Sequence, residues 1–150
     1  MSAAGGSDGG FSAEERAAMK SRAAELRAEA KSGKAAEKAA ADAAAVEGRI
    51  AEMPAPDRAM AERLHALVAE AAPALQPKLY YGQPGWASAG KVVVFFRSGL
   101  MDKARYSTLG FSENSALGDP AGFWPTSYAL ERLDEEAAAR IRELIVTAAG

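Results

Sequence analysis

A chain of 150 residues with 49% hydrophobic and 25% charged side chains fits one folded domain, and its 18 basic and 20 acidic residues give no electrostatic pull toward a nucleic-acid backbone. With no cysteine and a single histidine, His65, it excludes disulfides, thiolate metal sites, cysteine nucleophiles and any site that needs two imidazoles from one chain. No basic start followed by an apolar stretch marks a secretion signal, and the apolar run over 92–96 is far short of the roughly 20 residues that span a bilayer, so the expected location is the cytoplasm, away from membrane.

Residues 1–10 are rich in glycine and serine and read as a flexible tail. Ser12 and Glu15 have the spacing of a capping box, which starts a helix by satisfying two backbone donors reciprocally. From 13 to 31 the residues are strong helix formers, but only Met19 and Leu26 are large and apolar, so this helix has little to bury. Gly33 is expected to interrupt it before an alanine-rich stretch, 34–46, that reads as a spacer. An arm over 11–46 and a domain over 47–150 follow, because Val46, Ile50 and Met53 bring larger apolar groups onto one helical side just before Pro54 and Pro56.

Pro56 suits a first helical turn, and Asp57 beside it favours the positive end of the helix dipole. Met60, Leu64, Leu67, Val68 and Ala71 then form the clearest amphipathic stripe in the chain, closed by Pro73 and Pro77. A short strand is expected over 78–81, with a type II turn centred on Pro84 and Gly85. The β-branched and aromatic run over 91–96 is the expected central strand, 104–109 a neighbouring one with visible alternation, and 126–130 another. Asp134 caps a last helix whose buried stripe is Ile141, Leu144, Ile145 and Ala148. The expected fold is α+β: a small antiparallel sheet packed against helices, preceded by an alanine-rich helical arm.

The segments Lys78-Leu79-Tyr80-Tyr81-Gly82-Gln83-Pro84-Gly85-Trp86, Gly90-Lys91-Val92 with Phe95-Phe96, Arg105-Tyr106, Leu109-Gly110-Phe111 and Trp124-Pro125-Thr126 together resemble the YdhG-like family, a bacterial domain of unknown function. The likeness covers roughly 50–148 and leaves the alanine-rich arm outside. It implies a curved antiparallel sheet against helices. Some members are described as frataxin-like intracellular iron chaperones, so the resemblance also implies a non-enzymatic binding domain with iron as its cargo.

Hard metal ions need oxygen ligands, and the candidates are Glu52, Asp57 and Glu62, with His65 completing a Glu-x-x-His pair on one helical face. Asp134, Glu135 and Glu136 form a second acidic group. Acids in first helical turns also serve the helix dipole without any metal. The alternative function is a small-ligand or protein-interaction module with an aromatic surface around Trp86 and Tyr106. Tyr81, Trp86, Tyr106 and Trp124 would supply its rings, and Arg105, with Lys78 and Arg97 nearby, would hold an anionic ligand. Core packing accounts for such rings equally well. No Walker sequence or G-x-G-x-x-G is present, and the single histidine has no partner nucleophile visible in the sequence, so no catalytic residue is assigned.

Overall fold

The computed structural model describes residues 10–150, so all of the expected tail except Gly10 lies outside the described residues. The chain divides into two compact units, one reaching to Lys38 and the other Ala39–Gly150. In the first, helix α1 (Ala13–Ala51) opens on the expected capping box: Glu15 N donates to Ser12 Oγ at 3.0 Å and Ser12 N to Glu15 Oε1 at 3.2 Å. Met19 and Leu26 are about half exposed, at 52% and 49%, as an arm with little to bury requires. Gly33 does not interrupt α1, which runs on through it. One glycine costs about 1 kcal/mol in a helix, and the alanine and lysine residues around it are among the best helix formers.

The second unit holds the core. Val46 and Ile50 on the last turns of α1 are buried, as is Met53 after it. Helix α2 (Ala55–Ala71) buries Met60, Leu64, Leu67 and Val68, and α3 (Glu135–Ala149) buries Ile141, Ile145 and Ala148 behind an Asp134 cap that accepts from Ala137 N at 2.9 Å. Among the described residues, strands β1 (Gln76–Pro77), β2 (Gly85–Ser88), β3 (Lys91–Arg97), β4 (Ser107–Phe111) and β5 (Ser127–Leu130) form one antiparallel sheet in the order β1-β2-β3-β4-β5. The α+β expectation holds, with the 91–96 run as the central strand.

Register fixes the faces. Trp86 pairs with Val94 and Val94 with Phe111, while Phe96 pairs with Leu109 and Leu109 with Tyr128, so these side chains share the face that meets the helices. Gly85, Phe95, Gly110 and Ser127 pair across the opposite face. There the Phe95 ring lies over Gly110, where an added Cβ would come within 2.2 Å of it, and packs against Tyr80 at 4.8 Å between centroids.

The entry to the sheet differs from expectation. Residues 78–81 are not a regular strand, and the tight turn is not at Pro84-Gly85 but at Tyr81-Gly82. Tyr80 and Gln83 exchange backbone hydrogen bonds at 2.7 and 2.9 Å across it, and Tyr81 and Gly82 both have positive φ, 50° and 78°. That is the primed hairpin geometry whose twist matches the flanking strands. Pro84 and Gly85 are instead buried, and a Cβ at Gly85 would meet Lys78 O at 2.7 Å, so the residue there must be glycine for close backbone approach. The expected strand over 104–109 starts later, at Ser107, because 99–104 is taken up by a turn in which Gly99 O accepts from Asp102 N and Ala104 N.

Candidate functional site

The turn between β3 and β4 folds back on the first turn of α2. Asp57 is 4% exposed, and its Oδ2 accepts from Ser98 Oγ at 2.6 Å and from Leu100 N at 3.0 Å. Ser98 Oγ in turn accepts from Met101 N at 3.3 Å, and Ser107 Oγ accepts from Gly99 N at 2.9 Å. Two buried serines and one buried carboxylate therefore lock the turn through a short hydrogen-bond network that uses Oδ2 of Asp57. The helix dipole explains Asp57 only in part: it sits in the first turn, but its Oδ2 is directed to a partner segment 41 residues away.

This junction walls a cavity of about 180 Å³ lined by Asp57, Met60, Leu100, Arg105, Tyr106 and Glu131, among others. Arg105 is exposed, with its guanidinium 5.1 Å from the centroid of the Tyr106 ring, a cation–π arrangement that holds both side chains at the cavity mouth. Tyr106 is 37% exposed. Two of the expected ligand residues, Arg105 and Tyr106, are thus brought together, and with them one of the expected metal ligands, Asp57.

The other expected residues lie elsewhere. Trp86 does not line this cavity: it is 1% exposed, because β2 points it into the core, where its Nε1 donates to His65 Nδ1 at 3.1 Å and it backs a different hollow beside Pro73 and Pro77. Tyr81 is 89% exposed at the tip of its hairpin and Trp124 is 42% exposed in the loop before β5; neither lines the Asp57 cavity. Lys78 Nζ donates to Gly90 O and Arg97 Nε pairs with Asp102, so both cations are occupied locally.

Of the remaining metal candidates, Glu52 pairs with Arg49 at 3.2 Å, while Glu62 and His65 border a separate surface hollow with Glu47 and Arg58. Glu135 pairs with Arg63 at 2.6 Å and Asp134 is spent as a helix cap. Among the described residues, no three histidine, aspartate or glutamate side chains come together so as to hold a metal ion. The expected ligands Glu52, Asp57, Glu62 and His65 accordingly form no single metal-holding cluster, although Glu62 and His65 border the same hollow. Sequence reading missed Ser98, Gly99 and Ser107, whose only signal is small residues bracketing the end of one strand and the start of the next. No helix among the described residues is long and apolar enough to cross a membrane.

No family model, curated protein or solved structure matches this chain, so the YdhG-like likeness rests on its sequence motifs.

Proposed function

We propose that the Ala39–Gly150 unit is a non-enzymatic binding domain for a small polar molecule, received in the cavity between the first turn of α2 and the β3–β4 turn. One observation carries this reading: a buried carboxylate, Asp57, opens onto the same cavity as the exposed Arg105–Tyr106 pair. Polar groups that converge on one hollow beside apolar wall are the usual mark of a ligand site. At about 180 Å³ the cavity is smaller than the roughly 300–1,000 Å³ of drug-sized pockets, so it fits a molecule of few heavy atoms or the end of a longer one. Iron handling, which the YdhG-like likeness implies, finds less support, since hard cations want several oxygens at once and the candidate acids stand apart.

The test is a fragment screen read by amide chemical shifts of the full chain. Binders are expected to move the Leu100 and Ser107 amides together, because both backbone segments wall the cavity. A screen whose hits leave those two amides unmoved would overturn the reading.

A further inference from the structure

We infer that this cavity selects an organic cation, a small alkylamine in its ammonium form, which places its charged head on the free oxygen of Asp57. The inference rests on the ligand-site reading above. Asp57 uses only Oδ2 inside the protein: both of its donors, Ser98 Oγ and Leu100 N, reach that one oxygen. Among the described residues nothing donates to Oδ1, and no lysine or arginine nitrogen lies within ion-pair distance of the carboxylate. Oδ1 is not sealed off either, since Arg49 Nε is the one side-chain polar atom among the described residues that is both fully buried and unpartnered. Oδ1 is therefore an acceptor with no protein donor, on a residue that is 4% exposed and lines the cavity.

The rest of the lining agrees with a cation carrying a short alkyl chain. Glu131 adds a second carboxylate, and Met60, Leu100 and Leu130 offer apolar wall for the chain. Two features favour an anion instead: the positive end of the α2 dipole and Arg105. The first is already answered by Asp57 itself, because the dipole end amounts to only about half a charge. Arg105 is engaged over the Tyr106 ring at the mouth. An anion entering beyond it would meet two carboxylates, with the nearer one desolvated, whereas an ammonium would complete the acceptor capacity of Oδ1.

Titrating the full chain with n-butylammonium, n-butyrate and n-butanol tests this, with the Leu100 amide as the reporter. Butylammonium is expected to bind at least about tenfold more tightly than either control, as a charge-assisted contact to a desolvated carboxylate requires. Asp57→Asn keeps a carbonyl to accept from Ser98 and Leu100 but offers an amide donor to the cavity in place of Oδ1. It should cut butylammonium affinity by about tenfold while the amide spectrum stays folded. Should Asp57→Asn fail to fold, Glu131→Gln supplies the second arm: it should weaken butylammonium about threefold and leave butanol unchanged. Tighter binding of butyrate, or equal binding of butanol, at the Leu100 amide would overturn the cation assignment while leaving the ligand site standing. No shift at Leu100 from butylammonium also overturns it, and the fragment screen then decides separately whether the cavity binds anything.

Discussion

Replacing Gly99 by alanine is expected to destabilise the protein by about 3 kcal/mol or more, the upper end of the cost of forcing extra atoms into a packed interior. An added Cβ would lie 2.3 Å from Tyr106 O and 2.8 Å from Ser107 N. Both obstacles are backbone, so no side chain can swing aside to make room. Moving the two segments apart would also break the hydrogen bond from Gly99 N to Ser107 Oγ and, one residue away, those that Asp57 receives. The denaturant midpoint of Gly99→Ala measures the effect. A loss below about 1 kcal/mol would show that the turn relaxes and that its close approach is not what holds the cavity wall. Gly82, in contrast, has open space around its Cβ position, so the strain of alanine there is conformational alone.

The second large effect is expected at Trp86. Its side chain is among the largest of those fully buried, and its truncation to alanine should cost about 3–5 kcal/mol, the range for removing a large aromatic from a core. Trp86→Phe should cost less, because the ring volume is mostly kept and the chief loss is the hydrogen bond that leaves His65 Nδ1 without its donor, worth about 1 kcal/mol. Trp124, 42% exposed, is the internal comparison: its replacement by alanine should change stability by less than about 1 kcal/mol. Thermal or urea unfolding of the three variants separates the roles. Equal losses for Trp86→Ala and Trp124→Ala would mean that Trp86 is not a core residue.

Much of the architecture is readable from periodicity, since the stripes of α2 and α3 and the apolar run of β3 are long enough for burial to dominate local preference. The hairpin at Tyr81-Gly82 is not. Proline followed by glycine at 84–85 is the stronger local turn signal, whereas tyrosine at positive φ is uncommon and is imposed by the pairing of Tyr80 with Gln83. Gly33 misleads in the opposite sense, because a single glycine is a small penalty against a long run of alanine.

The site is the least legible part. Arg105 and Tyr106 are adjacent and easily paired from sequence, but Trp86, an equally good aromatic candidate, is turned inward by the alternation of β2. Asp57 looks like an ordinary acid of a first helical turn. Its partners Ser98 and Leu100 are 41 and 43 residues further on, and no spacing rule within α2 points to them.

The most direct measurement of the central claim is the affinity of n-butylammonium for the wild-type chain and for Tyr106→Ala, by calorimetric titration. Tyr106 stands at the mouth of the cavity, is 37% exposed and takes no part in the Asp57 network, so its removal should leave the unfolding temperature nearly unchanged. It should lower affinity by about tenfold through lost contact area and the release of Arg105 from its ring. Unchanged affinity in a folded Tyr106→Ala variant would contradict the account, because the ligand would then be binding somewhere other than the cavity shared by Asp57, Arg105 and Tyr106.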